Sequence, residues 1–183
     1  MSRELHVPEG AEVEIAETDR GGKSTFHGPG QLVCYPILDL RKHGKDVKRY
    51  VRDLEEALKL TLESFGLEGE RIEGLTGVWL LSPPRKIASI GVHVSRWITT
   101  HGYALNVDLD PAPFTDWITA CGLEDVQFTS MARELGRPLT VDEVRPSASA
   151  AIADVFDLEL EELPAEDGPG LWRQPIHAQL AAR

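Results

Sequence analysis

The sequence contains few cysteines and no long apolar run. Its 183 residues include two cysteines, Cys34 and Cys121, which are too few for a disulfide framework and do not form a Cys-x-x-Cys pair. No apolar stretch is long enough to span a bilayer. The polar start of the chain lacks the basic and apolar regions of a signal peptide. We therefore expect a cytoplasmic protein with reduced thiols and no membrane partner.

The chain also lacks the excess positive charge that nucleic-acid binding requires. Its formal net charge is −11, so we expect no nucleic-acid partner. No Cys/His cluster has the spacing of a zinc site, and the glycine-rich stretch matches neither a P-loop nor a GxGxxG fingerprint. The sequence therefore predicts no metal and no cofactor.

The composition suits one folded domain. With 42% hydrophobic and 27% charged residues the chain can bury a sizeable core. We assign a single domain to residues 1–163. Residues 164–183 are rich in proline, glycine and small residues, and we expect a flexible C-terminal tail there.

Hydrophobic periodicity predicts an α+β fold. Alternating or continuous apolar residues predict strands at 12–18, 31–40, 77–82, 86–94 and 103–109. Apolar residues spaced by three and four predict a helix at 46–65. We also expect short helices at 113–119 and, between Ser130 as a cap and Gly136 as a stop, at 130–136, and a further helix after a capping box at 140–143. Pro146 is expected to limit or bend the last of these helices. Strands followed by mixed strands and helices favour a largely antiparallel sheet packed with helices.

A glycine-rich stretch, DRGGKSTFHGPGQ at 19–31, interrupts this pattern. Glycine costs roughly 0.5–1 kcal/mol relative to alanine inside a regular element. The stretch is therefore either a loose linker or a loop shaped so that something approaches its backbone closely.

Two cysteines and one lysine bear on nucleophilic chemistry. Cys34 lies in an apolar strand and reads as a small buried hydrophobe, whereas Cys121 follows a predicted helix and precedes a glycine, which leaves both a structural and a functional role open. Lys86 opens a strand, where a solvated lysine is the default. If its ammonium faced a thiol inside a pocket, the ion pair would favour the thiolate. A thiol with a pKa of about 8.5 is otherwise only a few per cent ionised at pH 7.

Two histidines each precede a glycine at a strand junction. His27 stands in HGPG and His101 in HGYALN. Either could be a turn residue or part of a site, and neither belongs to an i, i+4 metal-binding pair.

Three motifs in order give the chain a family resemblance. They are DRGGKSTFHGPGQLVCYPILDL, RKIASIGVHVSRWITTHGYALNVDLD and ACGLEDVQFTS, between about residues 19 and 131. Together they resemble the lipoyl(octanoyl) transferases, the octanoyltransferases of protein lipoylation. The resemblance implies the fold of lipoate–protein ligases and biotin ligases.

It also implies an activity and partners. The family moves octanoyl from octanoyl-acyl carrier protein to a lysine of a lipoyl domain, in the E2 subunits of 2-oxoacid dehydrogenases or in the glycine cleavage H protein. By position, Cys121 would carry the acyl group as a thioester and Lys86 would lower its pKa and act as acid and base. Substrate contacts would come from Arg20, Gly21, Gly22, Lys23, Ser24, Thr25, Phe26, His27, Ser89, Ile90, Gly91, Gly102, Tyr103 and Ala104, with His101 in support.

Two other functions stay open at this point. Family members usually carry a sizeable segment before the DRGG motif, and here 18 residues precede Asp19, so we expect an N-terminally abbreviated domain. A truncated, non-catalytic binder of carrier or lipoyl domains is one alternative. An ATP-dependent lipoate–protein ligase is the other, although its chemistry needs no cysteine. We also hypothesise that the basic segment 41–49 docks an acidic carrier protein.

Overall fold

A computed structural model describes residues 6–11, 13–118, 126–161, 163 and 179–182 of the chain. The strands are β1 (Glu14–Glu17), β2 (Thr25–His27), β3 (Gln31–Cys34), β4 (Glu70–Ile72), β5 (Leu75–Leu80), β6 (Arg85–Ser95), β7 (Ile98–Asn106), β8 (Gln127–Phe128) and β9 (Gln179–Ala182). The helices are α1 (Val47–Glu63), α2 (Ala112–Asp116), α3 (Met131–Leu135) and α4 (Val141–Phe156).

The strands form two sheets. The larger has the order β3-β7-β6-β5-β4 with antiparallel neighbours, and β8 adds a short parallel pairing to the start of β6. The smaller has the order β1-β9-β2, with β9 parallel to β1 and antiparallel to β2. The predicted α+β class with a mostly antiparallel sheet is confirmed.

The C-terminal segment differs in part from the expected flexible tail. Residues 164–178 lie outside the described residues, whereas Gln179–Ala182 form β9 and pair with two other strands. The partners of β9 lie more than 150 positions earlier in the chain, so local composition carried no sign of this pairing.

Helix α1 confirms the clearest element of the sequence. Its apolar face is buried against the larger sheet and α4, with Tyr50, Leu54, Leu58 and Leu62 at spacings of four. Asp46 caps the helix by accepting hydrogen bonds from the backbone N–H groups of residues 48 and 49.

Helix α4 starts as predicted but is not shortened by proline. Thr140 and Glu143 form the capping box, and the helix continues through Pro146 to Phe156. The expectation that Pro146 limits the helix is therefore wrong. Pro146 is solvent-exposed, so water can satisfy the carbonyl group that loses its partner there, and Ile152 and Phe156 hold the later turns in the main core.

A second, smaller core lies beside the main one. It joins Phe26 of β2 with Leu109, Phe114, Ile118 and Phe128. The rings of Phe114 and Phe128 stack with centroids 4.3 Å apart. This cluster fixes the glycine-rich stretch to the segments that follow β7.

The glycine-rich stretch lies directly on β6. The N–H of Gly21 donates to the carbonyl oxygen of Val92 at 2.8 Å. A side-chain carbon added at Gly91 would stand 2.9 Å from the carbonyl oxygen of Gly21 and 3.0 Å from Cδ of Arg20. The stretch is therefore a loop shaped for close approach, and one partner that approaches it is the chain's own sheet.

Candidate active site

Lys86 lies in the wall of a cavity between β5, β6 and the glycine-rich loop. Its side chain is 5% exposed, and the cavity has a volume of about 210 Å³. The described residues that line it include, from the predicted site, Arg20, Gly22, Lys23, Ser24, Thr25, Ser89 and Ile90. The structure thus brings Lys86 together with two of the three predicted substrate-contacting stretches.

A β-bulge turns Lys86 toward this cavity. Trp79 pairs with Lys86 and the adjacent Val78 pairs with Ala88, so β6 has one extra residue, Ile87, at this point. Ile87 and Ala88 both belong to the main core, whereas Ser89 lines the cavity. Strict alternation from Ser89 would place Ile87 at the cavity and Lys86 in the core, and the bulge reverses that arrangement.

Gly77 leaves the space that the Lys86 side chain occupies. A side-chain carbon added at Gly77 would lie 2.8 Å from Cε of Lys86 and 2.5 Å from the carbonyl oxygen of Ala88. Gly77 also has φ +115°, a conformation that other residues rarely adopt. Its N–H donates to the buried carboxylate of Glu55 at 3.1 Å, and Arg71 donates to the same carboxylate at 3.1 Å. These contacts hold the strand beside Lys86 in place.

Trp79 supplies the aromatic wall of the cavity. Its ring is 3% exposed, and Nζ of Lys86 lies 5.3 Å from the ring centroid. An ammonium at that distance is attracted by the electron-rich ring face. The cavity therefore combines apolar surface with a buried cation.

A smaller cavity of about 40 Å³ continues from the first. Both share Arg20, Thr25, Ser89 and Ile90. The smaller one adds the predicted residues His27, Gly91, His101, Gly102, Tyr103 and Ala104, together with Tyr35. The third predicted stretch thus meets the other two here.

Arg20 shapes the loop between the cavities. It is 9% exposed, and its Nη1 donates to the carbonyl oxygens of Gly21 at 3.2 Å and Lys23 at 2.7 Å. The arginine therefore both lines the site and holds the backbone of the loop around it.

His27 belongs to a chain of side-chain hydrogen bonds. Its Nδ1 lies 2.7 Å from Oε1 of Gln31, and Nε2 of Gln31 donates to Oδ1 of Asn106 at 2.9 Å. Nδ2 of Asn106 donates to the carbonyl oxygen of Thr129 at 3.0 Å. Burial lowers the pKa of His27, the hydrogen bond to Gln31 acts in the opposite sense, and Arg20 lowers it further.

His101 is held by a carboxylate on the loop. Its Nε2 lies 2.8 Å from Oδ1 of Asp19, and the ring meets Tyr35 edge-on at 5.7 Å between centroids. His101 has φ +59°, a strained conformation for a residue with a side chain. The hydrogen bond from His101 lowers the pKa of Asp19. Asp19 thereby ties the start of the glycine-rich loop to β7.

Two described residues of the predicted site, Gly21 and Phe26, make other contacts, and a third predicted residue, Cys121, lies outside the described part of the chain. Cys121 falls in 119–125, which lies outside the described residues. The side chain of Phe26 packs in the smaller core against Phe114, and Gly21 bonds to β6. Cys34 packs against the main core, and burial raises the pKa of its thiol.

Sequence reasoning missed Gly77, Trp79, Gln31 and Asn106 as parts of this site. A glycine inside an apolar strand is a known sign of a bulge or of close approach, so Gly77 carried a usable signal. The Gln31–Asn106 contact joins residues 75 positions apart and carried none.

The described residues also bear on metal binding and on membrane insertion. They contain no group of three or more His, Cys, Asp or Glu side chains that could hold a metal ion. None of the described helices is long and apolar enough to cross a membrane.

Solved structures define the class of fold. A bi-partite lipoate protein ligase from Thermoplasma acidophilum has a TM-score of 0.63 and 17% identity, over 79% of this chain and 58% of the other. A biotin protein ligase from Aquifex aeolicus has a TM-score of 0.55 and 14% identity, over 70% and 53%. The fold is therefore that of lipoate and biotin protein ligases.

Sequence comparison narrows this class to a family. The lipoyl protein ligase A/B catalytic domain matches residues 3–153, and the chain belongs to that family, which confirms the resemblance found in the motifs. Octanoyltransferase from Chloroflexus aurantiacus is 51% identical over 148 residues, 80% of this chain and 66% of the relative. Octanoyltransferase from Mycobacterium tuberculosis is 50% identical over 165 residues, 90% and 67%. The chain thus spans about two thirds of the length of these relatives.

Proposed function

We propose that the chain is an octanoyltransferase of lipoate biosynthesis. It takes octanoyl from octanoyl-acyl carrier protein and transfers it to a lysine of a lipoyl domain, in the E2 subunits of 2-oxoacid dehydrogenases or in the glycine cleavage H protein. The acyl group is carried as a thioester on Cys121. The observation that carries the proposal is the buried ammonium of Lys86 in the wall of the cavity, in a chain about 50% identical to proteins named octanoyltransferase.

The first half-reaction forms the acyl-enzyme. A buried ammonium beside a thiol stabilises the thiolate, so Lys86 makes Cys121 nucleophilic near neutral pH. The thiolate attacks the carbonyl carbon of the octanoyl thioester, the bond to the carrier sulfur breaks, and Lys86 donates a proton to that sulfur. A thioester donor already has a good leaving group, so the step needs no ATP.

The second half-reaction transfers octanoyl to the acceptor. The amine of the acceptor lysine attacks the thioester carbon on Cys121, a C–N bond forms and the C–S bond breaks. The neutral Lys86 takes the proton that the amine loses, and the ion pair with the Cys121 thiolate is restored. Each half-reaction has two reactants, the enzyme and one substrate, so the overall reaction follows ping-pong kinetics.

The residues that flank the segment holding Cys121 support its pairing with Lys86. Phe128 is the register partner of Lys86 in the β6–β8 pair, and the N–H of Thr129 donates to the carbonyl oxygen of Lys86 at 3.0 Å. Ile118, on the other side of the segment, packs in the same cluster as Phe128. The flank at Phe128 therefore lies beside the strand that carries the lysine, and the flank at Ile118 packs in the same cluster as Phe128.

The two cavities are the proposed place of the acyl chain and its thioester. The stretches 20–27, 89–91 and 102–104 surround them. An alkyl chain gains about 0.8 kcal/mol per buried CH₂, so the apolar walls around Trp79 and Ile90 suit an octanoyl group.

The test is intact-mass spectrometry of the protein mixed with octanoyl-carrier protein, without ATP, beside Cys121→Ser and Lys86→Ala. We expect an octanoyl adduct on the parent chain, none on Cys121→Ser, and slow formation on Lys86→Ala. Addition of a lipoyl domain should then discharge the adduct. Transfer that requires ATP and a free acid would favour a lipoate–protein ligase. Binding of carrier or lipoyl domain by a folded parent chain without any adduct would favour the non-catalytic binder.

A further inference from the structure

The hydrogen-bond chain that ends at His27 fixes the position of the imidazole proton. The chain begins at the backbone carbonyl oxygen of Thr129, which can only accept a hydrogen bond. The atom of Asn106 that faces it must therefore be the amide NH₂. The amide oxygen of Asn106 then faces Gln31 and accepts from its NH₂ group.

The same reasoning determines which nitrogen of His27 carries the proton. With its NH₂ group used on Asn106, Gln31 turns its amide oxygen to His27, 2.7 Å from Nδ1. An oxygen acceptor requires a donor, so the proton of His27 is on Nδ1. In the neutral ring the other nitrogen, Nε2, then carries a lone pair. The orientation of both amides and the tautomer follow from one backbone carbonyl.

The surroundings of His27 keep the ring uncharged. Burial lowers the pKa of His27, and the charges of Arg20 and His101 lower it further, while the hydrogen bond to Gln31 opposes them. The charged and titratable groups that line the same cavity are Arg20 from the loop, Tyr35 after β3, and His101 and Tyr103 from β7. None of these described groups is a carboxylate that would favour the imidazolium.

We infer that Nε2 of His27 accepts a hydrogen bond from the amine of the acceptor lysine, and that Gln31 and Asn106 are positioning residues for this contact. The inference rests on the proposed octanoyl transfer. It adds an assignment within that reaction: His27 serves the second half-reaction and not the first.

The chemistry of the reactants supports this assignment. The octanoyl thioester offers a carbonyl oxygen and a sulfur, which are hydrogen-bond acceptors. A lone pair on His27 is also an acceptor, so it forms no hydrogen bond with either atom. The acceptor amine brings N–H donors on the reacting atom itself. One of its hydrogens is lost to the base, and a second remains to bond to His27 Nε2. Burial and the nearby positive charge of Arg20 also favour the neutral amine over the ammonium, and only the neutral amine is nucleophilic.

Two variants separate the functions of the ring nitrogens. His27→Asn keeps an amide donor near the position of Nδ1 for Gln31 but removes the acceptor at Nε2. Gln31→Glu keeps an acceptor for Nδ1–H but places a carboxylate beside the ring, which raises the pKa of His27. The lone pair on Nε2 is then lost to protonation at a higher pH than in the parent.

The experiment measures the two half-reactions separately by quenched intact-mass spectrometry. Acyl-enzyme formation uses octanoyl-carrier protein, and its discharge uses a lipoyl domain. We expect His27→Asn to slow discharge about 10- to 100-fold more than it slows formation. In Gln31→Glu the acid limb of discharge should move to higher pH and that of formation should not. Equal slowing of both half-reactions, or no slowing of discharge, would overturn the inference.

A readout without turnover separates this inference from the proposed function. Nitrogen-15 NMR of the imidazole in the parent protein should show His27 with a protonated Nδ1 and an unprotonated Nε2 at neutral pH. A proton on Nε2 would overturn the inference whatever the enzyme does. A parent chain that forms no acyl-enzyme but shows the expected tautomer would overturn the proposed transfer, and with it the assignment of an acceptor amine to Nε2.

Discussion

Lys86 and Trp79 face each other across the β5–β6 pair, with Nζ of the lysine 5.3 Å from the centroid of the indole ring. The contact contributes about 0.5–2 kcal/mol to holding an ammonium in a desolvated place. It also leaves the lysine beside the cavity instead of extended into water. A cation that reaches the site in this way is suited to stabilise a thiolate, which is the role proposed for it.

Substitution of Gly77 should displace Lys86. In Gly77→Ala the new carbon meets Cε of Lys86 and the carbonyl oxygen of Ala88, and the positive φ adds backbone strain. We expect the free energy of unfolding to fall by about 2–4 kcal/mol and acyl-enzyme formation to be slowed in the protein that remains folded. Gly66→Ala is the matched control, because Gly66 has φ +78° but no atom within 4 Å of the added carbon. Similar urea curves and similar adduct formation for both variants would show that Gly77 does not position the lysine.

Cys34 should be an unreactive thiol. Burial raises the pKa of its side chain, and the thiolate is the form that reacts with iodoacetamide. In Cys121→Ser, where Cys34 is the remaining cysteine, we expect alkylation at pH 7.5 to be at least about tenfold slower in the folded protein than in urea. In Cys34→Ser the labelling of the native protein should stay fast. Rapid labelling of Cys34 in the folded chain would contradict its place against the core.

The ion pair between Arg85 and Glu134 should make stability depend on acid pH. Nε and Nη2 of Arg85 donate to the two carboxylate oxygens of Glu134, both at 2.8 Å, and this lowers the pKa of Glu134. A carboxyl whose folded pKa is lowered stabilises the fold above its unfolded pKa, near 4.5, and loses that contribution as the pH falls through the folded value.

The corresponding variant is Arg85→Met. We expect the free energy of unfolding at pH 7 to fall by about 1 kcal/mol and the decline of stability below pH 4.5 to become shallower. Arg145→Met, which removes an exposed pair with Asp142, should change little. Denaturant unfolding at pH 7, 5, 4 and 3 measures both effects. A parallel decline in Arg85→Met and the parent would argue against this source of acid sensitivity.

The basic segment 41–49 should act only when the donor is a protein. Lys42, Lys45 and Lys48 are exposed, while Arg41 pairs with Asp39. In Lys42→Glu/Lys45→Glu/Lys48→Glu we expect transfer from octanoyl-carrier protein to fall about tenfold at low salt, because steering of an acidic carrier is lost. The negative charge at position 48 in the first turn of α1 favours the helix, so folding should not suffer. Equal slowing with a small octanoyl thioester would contradict a docking role.

The parts of the fold that local patterns determine were predicted. Helix α1 has a periodic apolar face and a side-chain cap, and α4 has its capping box. Strands β2, β8 and β9 have two to four residues each and are stabilised by pairing with distant segments, so no local pattern predicted them.

The site, like the fold, was predicted where local motifs determine it and not where distant pairing does. The motifs predicted that the loop at 20–27, Lys86 and the residues of β7 belong together, and the two cavities join them. The orientation of Lys86 depends on pairing between β5 and β6, and the state of His27 depends on Asn106 and on the backbone at Thr129. Interactions of this kind are set by the completed sheet and are invisible to a reading of neighbouring residues.

The bulge in β6 makes the register of strand pairing itself part of the site. If β5 and β6 paired without the bulge, Ile87 would stand opposite Trp79 and an apolar side chain would replace the lysine at the cavity wall, with no change in the sequence. Removal of one residue between Lys86 and Ser89 would instead leave both on the cavity face of a regular strand. When sequences of this family are aligned, a one-residue gap between these two positions is therefore compatible with a lysine at the cavity. A motif of full length places its lysine there only where the strand is also bulged.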